Sequence, residues 1–261
     1  MRAALIALSL VALSGATAVA QTPQKSYEPE IGQGGKDVVW VPTPPALVEK
    51  MLDMAQVTAG DLVMDLGSGD GRNVIAAARR GARAIGVEYN PEMVALSTRL
   101  AEEAGVAGRA TFVEGDMFTA DISKATVMAL FLLPDNLEKL RDTFLALQPG
   151  TRLVMNTFDI PDWASDDKAT LGEGCVSWCT AHLYYVPAAV EGRWTTSRGT
   201  LTLRQAFQVV AGTLTTPNGD VAVSGRLRGA ELTLEVEGTP LRATVRGDRL
   251  DGALAGSRLP R

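Results

Sequence analysis

The segment VMDLGSGDGR, at positions 63–72, constrains the fold of this chain more than any other part of the sequence. Glycines alternate with other residues in it, at Gly67, Gly69 and Gly71. Glycine accepts positive φ angles and lets the backbone approach a ligand closely. An apolar run followed by such a turn and a helix is typical of parallel α/β sheets, which bind ligands at the carboxyl ends of their strands. We therefore expect a ligand pocket here, with Asp65 at its mouth.

The glycine spacing separates two classes of ligand. A dinucleotide-binding turn usually reads G-x-G-x-x-G and places a pyrophosphate at the helix N-terminus. Here the spacing is G-x-G-x-G, and Asp65 and Asp70 flank or interrupt the glycines. Carboxylates would repel a pyrophosphate and would suit a ligand that carries ammonium and sulfonium groups. The segment therefore disfavours a nicotinamide-dependent oxidoreductase.

Acidic residues also follow the next apolar runs. The run AIGVE ends at Glu88, about 20 residues after the first glycine, which is the offset expected of an acid that binds ribose hydroxyls. The run TFVEGD ends at Asp116. A single acid of this kind is more often only the cap of the following helix. The register of Asp65, Glu88 and Asp116 with the glycine turn favours a common ligand site instead.

Together these motifs resemble one enzyme family. The segments WVPTPP (40–45), DLGSGDGR, GVEYNP and EGDMF occur in order and are similar to class I, seven-strand methyltransferases that use S-adenosylmethionine (SAM). Within that class, the chain resembles a small family of mitochondrial enzymes and their bacterial relatives. The mitochondrial enzymes methylate lysine on the c subunit of ATP synthase and on adenine nucleotide translocase. The likeness covers roughly residues 39–163.

The resemblance implies SAM as cofactor, and we expect no metal. It implies that the D-x-G-x-G turn wraps the methionine end of SAM, that Glu88 binds the ribose, and that Asp116 accepts from the adenine amino group. The residues expected to bind SAM are Asp65, Gly67, Ser68, Gly69, Asp70, Gly71, Glu88, Tyr89, Asp116, Met117 and Leu132. No residue stands out as a catalytic base.

Periodicity predicts a doubly wound α/β fold, Rossmann-like, because strands and helices alternate. We predict strands at 61–66, 84–88, 110–113, 125–132 and 152–156, and helices at 44–55, 72–80, 90–104 and 135–147. The resemblance implies a final hairpin beside the fifth strand, and residues 176–186 are a candidate for one of its strands.

The pattern changes from Gly192 onward, where apolar residues recur at period two between glycine-containing turns, one of them expected at Gly212. This predicts an antiparallel meander of about six short strands. It contains no catalytic constellation, so it is either a structural extension or a small domain that docks on the core or binds a partner. The predicted domains are a signal peptide (1–20), a flexible segment (21–38), the methyltransferase domain (39–190) and a C-terminal β-sheet domain (191–261).

The N-terminal residues predict export. Arg2 precedes an apolar core at 3–13, and Ala18-Val19-Ala20 matches a small-residue cleavage site. We expect a periplasmic or secreted protein, the alternative being a membrane anchor through an uncleaved N-terminus. No later run is apolar and long enough for a transmembrane helix. The net charge of −5 without a basic run gives little basis for binding nucleic acid.

Cys175, Cys179 and His182 lie close together in the sequence. A disulfide and two unpaired thiols both remain open at this point, since export permits a disulfide. A metal site is disfavoured because a fourth ligand of the usual type is missing. We interpret His182, the only histidine, as structural rather than catalytic.

The methyl acceptor is not evident from the sequence. The segment LLPDN at 132–136 lacks the D/N-P-P-Y/F motif of enzymes that methylate exocyclic amino groups of bases or glutamine. Candidates to line an acceptor pocket are Thr43, Tyr89, Asp135 and Asn156. The resemblance implies a protein lysine as acceptor. Export is in tension with this, because SAM is made in the cytoplasm, so an exported non-catalytic binding protein that retains the SAM-type cleft is the alternative.

Overall fold

The computed structural model describes residues 27–260, so the predicted signal peptide lies outside the described residues. The first part of the chain forms a sheet of seven strands covered by helices. The helices are α1 (Pro45–Met54), α2 (Arg72–Arg79), α3 (Pro91–Glu103) and α4 (Pro134–Leu145). The strands are β1 (Leu62–Leu66), β2 (Arg83–Glu88), β3 (Ala110–Glu114), β4 (Val127–Leu130), β5 (Arg152–Asn156), β6 (Asp167–Thr170) and β7 (Thr180–Tyr185).

The strand order is β3-β2-β1-β4-β5-β7-β6. Strands β1 to β5 are parallel, whereas β7 runs antiparallel to both β5 and β6. The order reverses between β1 and β4, and open α/β sheets bind ligands in the crevice at such a point. This confirms the predicted doubly wound fold and its terminal hairpin. Strand β6 was not predicted, because it is short, polar and largely exposed at the sheet edge.

Local chemistry explains why the helices begin where they do. Proline occupies an early position in α1, α3 and α4, where the missing N–H has no intrahelical partner to lose. The Asn90 side chain caps α3 by accepting from the Glu92 amide at 2.9 Å. Every residue of β4 is buried, as expected of a central parallel strand covered on both faces.

The C-terminal part forms a second, closed sheet. Its strands are β8 (Gly192–Thr196), β9 (Gly199–Ala206), β10 (Val209–Thr216), β11 (Gly219–Arg228), β12 (Glu231–Val236), β13 (Thr239–Arg246), β14 (Arg249–Gly252) and β15 (Gly256–Arg258). They follow one another as an antiparallel meander, and β15 pairs back onto β8 to close a barrel. The meander prediction is confirmed, but the meander has eight strands instead of about six, and its closure into a barrel was not predicted.

One predicted turn in this region is wrong. Gly212 lies in the middle of β10, paired with Leu203 and Val223. A Cβ at Gly212 would lie 1.9 Å from the carbonyl oxygen of Thr202. This glycine therefore permits close packing of neighbouring strands and does not mark a turn.

The barrel packs on the α/β domain through the loop before β6. Phe207, in the turn between β9 and β10, stacks on Trp163 with ring centroids 5.5 Å apart. Gln208 Nε2 donates to the Ala164 carbonyl at 2.6 Å, and Arg226 pairs with Asp166 at 2.8 Å. Trp163 is only 1% exposed, so the barrel shields an aromatic side chain of the α/β domain.

In the described range 27–260, no helix has the length and apolar character needed to cross a membrane. Residues 33–38, part of the segment predicted to be flexible, lie next to the carboxyl edge of the sheet. Their flexibility in the free protein stays a prediction.

Candidate active site

The glycine turn after β1 adopts the backbone that its sequence requires. Gly67, Gly69 and Gly71 have φ angles of 68°, 54° and 78°, in the left-handed region that favours glycine. The amides of Gly67 and Ser68 donate to the Val87 carbonyl at 2.8 and 3.1 Å, which fixes the turn against β2. A Cβ at Gly69 would lie 2.8 Å from Trp40 Nε1, so the turn is also covered from above.

Asp65 is the buried charge of the site. It is 3% exposed, and its Oδ2 accepts from Asn73 Nδ2 at 3.1 Å. Burial raises the pKa of Asp65 well above its usual range, and the nearby carboxylates of Glu88 and Asp70 add to this effect. Within residues 27–260, the buried Ser68 Oγ and Asn73 Oδ1 have no hydrogen-bond partner. The buried carboxyl group of Asp65 beside Asn73 Oδ1 fits a ligand that brings a cation with N–H donors, as SAM does.

Glu88 is held at the end of β2 next to the same turn. Its Oε2 accepts from the Gly69 amide at 2.9 Å, and its Oε1 accepts from the Asn90 amide at 2.9 Å. Each carboxylate oxygen can accept a further hydrogen bond. Glu88 lines both halves of the cleft, which is the position required of a residue that binds the central ribose.

The predicted adenine half is lined by Tyr89, Asp116 and Met117. Asp116 accepts from Lys36 Nζ at 2.6 Å and from the Phe118 amide at 2.9 Å. The hydrogen bond from Lys36, followed by the backbone amide, holds the pKa of Asp116 below its usual value. Lys36 Nζ also lies 4.8 Å from the centre of the Tyr89 ring.

Most of the predicted SAM-binding residues come together in this cleft, with one exception. Leu132 packs near the turn, because a Cβ at Gly67 would lie 3.5 Å from its Cδ2. Asp70 lines the cleft but binds Arg72 through both carboxylate oxygens. Gly71 is not directed at the cleft: a Cβ there would meet Phe112 at 2.5 Å. Its glycine is required for packing of the turn.

The structure adds residues that the sequence did not single out. Trp40 packs over Gly69. Lys36 donates a hydrogen bond to Asp116, and Asn73 donates one to Asp65. Phe131, directly after β4, lines the cleft. Trp40 belongs to the WVPTPP motif, but its contact with the glycine turn was not predicted. No pattern in the sequence indicated that Lys36 would bind Asp116 or that Phe131 would line the cleft.

Of the proposed acceptor-pocket residues, Thr43 and Asn156 come together. Asn156 Nδ2 donates to Thr43 Oγ1 at 3.1 Å, and both residues are buried. Arg72 Nη1 donates to the Thr43 carbonyl at 2.7 Å, which fixes this segment to α2. Tyr89 belongs to the adenine half, and Asp135 is exposed at the start of α4.

Cys175 and Cys179 form a disulfide, with Cα atoms 5.9 Å apart. His182 is 2% exposed on β7, and its Nδ1 lies 2.7 Å from Asp159 Oδ1, an ion-pair distance without hydrogen-bond geometry. Burial lowers the pKa of His182 despite the nearby carboxylate of Asp159. Among residues 27–260, no group of three or more His, Cys, Asp or Glu side chains is arranged to hold a metal.

Comparison with known proteins matches this arrangement. The family model of the ANTKMT methyltransferase domain matches residues 65–167. A protein-lysine N-methyltransferase of Saccharolobus islandicus is 40% identical over 152 residues, which is 57% of this chain and 94% of that enzyme. The adenine nucleotide translocase lysine N-methyltransferase of Mus musculus is 36% identical over 129 residues, which is 49% of this chain and only 55% of that enzyme.

A solved structure is also similar. It is described as an RNA methyltransferase from Salinibacter ruber in complex with S-adenosyl-L-homocysteine (SAH), and it is 46% identical with a TM-score of 0.54. The match covers 57% of this chain and 96% of that one.

The sheet order, the glycine turn and the strand-end acids define a class I SAM-dependent methyltransferase. Given the identity and coverage of the Saccharolobus enzyme, the chain belongs to the same methyltransferase family. It is therefore an enzyme, in contrast to the non-catalytic alternative considered from the sequence.

The residues present fit SAM, which when bound supplies an electrophilic methyl group on a sulfonium. Asp65 is placed to hold a cationic group, and Glu88 to bind hydroxyls, within a cleft closed by Trp40. Such a reaction depends chiefly on holding the acceptor at attack distance, since the leaving thioether needs no proton. Phe131 follows β4 and Asn156 ends β5, where it binds Thr43 of the segment before α1. This end of the cleft is where the chain would position that acceptor.

Proposed function

We propose that this protein transfers the methyl group of SAM to the side-chain amine of lysine in a protein acceptor. The observation that supports it most is the 40% identity to a protein-lysine N-methyltransferase of which the chain covers 94%. The net charge of −5 also suits a basic acceptor.

The acceptor end of the cleft is compatible with an amine nucleophile. Lysine must be neutral to attack, and desolvation lowers the pKa of an amine. Phe131 provides an apolar wall there, while Thr43 and Asn156 provide buried polar groups. If the ammonium gives its proton to water before it packs against this wall, no Asp, Glu or His among the described residues is needed as a base.

RNA is the second candidate acceptor, because the Salinibacter relative is described as an RNA methyltransferase. The acidic balance of this chain, with 30 Asp and Glu against 25 Lys and Arg, disfavours a polyanionic substrate.

We also propose that the protein acts outside the cytoplasm. The signal-like N-terminus supports this, as does the Cys175–Cys179 disulfide, since disulfides persist in oxidising compartments. The acceptor would then be sought among cell-envelope or secreted proteins.

The test incubates the protein with SAM labelled in its methyl group, together with envelope protein extract, single-lysine peptides or total RNA. We expect label in protein that survives ribonuclease and is recovered as methyl-lysine after acid hydrolysis. Glu88→Ala is the matched negative control, with Glu114→Ala as a control for loss of charge. Label that enters RNA, or a protein residue other than lysine, would overturn the proposed acceptor.

A further inference from the structure

Aromatic rings gather at the carboxyl edge of the sheet, beside the cofactor cleft. Phe131 and Phe158 stack with centroids 6.2 Å apart. Trp178 tilts against both, at 5.5 Å from Phe131 and 5.8 Å from Phe158. All of these separations lie in the range of direct aromatic contact. We call this group the aromatic cluster.

The cluster is continuous with the cofactor cleft. Phe131 directly follows β4 and lines the cleft together with Asp65 and the glycine turn. Phe158 follows β5, and Trp178 precedes the antiparallel β7, so all these rings lie at the same edge of the sheet. The cluster therefore borders the cofactor cleft at this edge of the sheet, through Phe131.

The disulfide fixes the Trp178 side of the cluster. Cys175 and Cys179 are bonded across the short loop that carries Trp178. Trp178 has a φ angle of 59°, a conformation that bulky residues rarely adopt. The covalent link restricts the other conformations open to the loop, so it favours the one that holds the indole against the phenylalanines.

Trp178 differs from the tryptophans that serve the core. Trp163 and Trp194 are 1% and 0% exposed, whereas Trp178 is 36% exposed. An exposed aromatic face attracts alkylammonium groups. Residues 169–192 contain no lysine or arginine, so the loop offers no cation of its own to occupy this face.

We propose that Phe131, Phe158 and Trp178 form the binding surface for the alkylammonium side chain of the acceptor, and that the disulfide is a positioning device for Trp178. The inference rests on the proposed lysine-directed function and adds the residues that select its substrate. The aliphatic part of the side chain packs on the rings, and the ammonium meets the indole face before it enters the cleft.

The direct test measures binding of a lysine analogue without any methyl transfer. The SAH-loaded protein, with nitrogen-15 in its indoles, is titrated with Nα-acetyl-lysine N-methylamide and, separately, with the neutral norleucine counterpart. The chain has 4 tryptophans, so the Trp178 signal is assignable by substitution. We expect saturable shifts of Trp178, with the norleucine compound binding about fivefold more weakly because it lacks the cation.

Substitutions then separate the cluster from the rest of the fold. Variants at Trp178 lack its indole, so their affinity is measured by calorimetry. Trp178→Leu should weaken binding of the lysine analogue about fivefold, and Trp178→Phe should retain most of it. The pair Cys175→Ser with Cys179→Ser should weaken it in the same direction. Val176→Ser is the matched control, because Val176 is 99% exposed in the same loop. The Kd for SAH should stay unchanged in all of them.

Equal affinity for the lysine and norleucine compounds, equal affinity in Trp178→Leu, or no saturable shift would each overturn the proposal. In an assay that measures methylation of a lysine peptide, Trp178→Leu should raise the KM for the peptide with little change in kcat. Failure of the proposed function has a different signature: the lysine analogue would bind at Trp178, yet lysine would gain no methyl group.

Discussion

Replacement of Asp65 by asparagine should lower the affinity for the cofactor and raise the stability of the ligand-free protein. Asp65 is 3% exposed, and among residues 27–260 its one side-chain donor is Asn73, at 3.1 Å. Asparagine has almost the same shape and keeps an oxygen for Asn73, but it carries no charge. We therefore expect weaker SAH binding together with a more stable ligand-free protein.

The magnitudes follow from the burial. Loss of a hydrogen bond to a charged group costs about 1.5–3 kcal/mol, so the Kd for SAH should rise about 10-fold to 150-fold. Removal of a poorly compensated buried carboxylate should stabilise the free protein by about 1 kcal/mol, which corresponds to a Tm rise of about 2–4 °C at this size. Calorimetry gives the first quantity and thermal unfolding without ligand the second.

Stability and SAH affinity should both depend on pH, in opposite directions. Because burial raises the pKa of folded Asp65 above its unfolded value, its contribution to stability falls as pH rises from the unfolded pKa through the folded one. A cationic ligand needs the ionised form, so SAH affinity should rise over the upper part of that range. Both trends should vanish in Asp65→Asn and persist in Glu114→Gln, whose side chain is exposed. Unchanged SAH affinity in Asp65→Asn would refute the reasoning.

Further expectations concern the ribose site, the N-terminus and the two domains. Glu88→Ala should weaken SAM binding about tenfold or more, and Glu114→Ala much less; equal effects in calorimetry would show that the strand register is wrong. N-terminal sequencing of protein from its native host should show cleavage after Ala20, and a start at the first residues in a cytoplasmic fraction would contradict export. A protein truncated to residues 27–189 should bind SAM but be less soluble, because Trp163 loses its cover; folded protein by circular dichroism without SAM affinity would make the barrel part of the site.

The predictable part of this protein lies in local patterns. Asp65, Glu88 and Asp116 each end an apolar run, and parallel strands bring their carboxyl ends to one edge. The strands, the crossover helices and most of the cleft therefore followed from the sequence. Strand β6 did not, because its exposure at the edge removes the apolar alternation on which such a prediction depends.

Contacts between distant segments were not predictable. The pairing of β8 with β15, the cover of Trp40 over Gly69, and the cluster of Phe131 with Trp178 each join separate parts of the chain. Their residues carry no local periodicity that names the partner. The disulfide stayed undecided for the same kind of reason, since the conformation of the loop decides whether Cys175 and Cys179 meet.

Closure of the C-terminal sheet has a consequence for the protein's behaviour in solution. Every strand from β8 to β15 pairs with a neighbour on both sides, so this sheet has no unpaired edge strand that another chain could extend. The seam rests on the short β15, where Arg258 lies over the Trp194 ring at 4.3 Å and binds Asp248 at 2.8 Å. Loss of β15 would expose unpaired backbone amides and carbonyls on both β8 and β14. The barrel would then have two edge strands, and these would favour association with other copies of the protein.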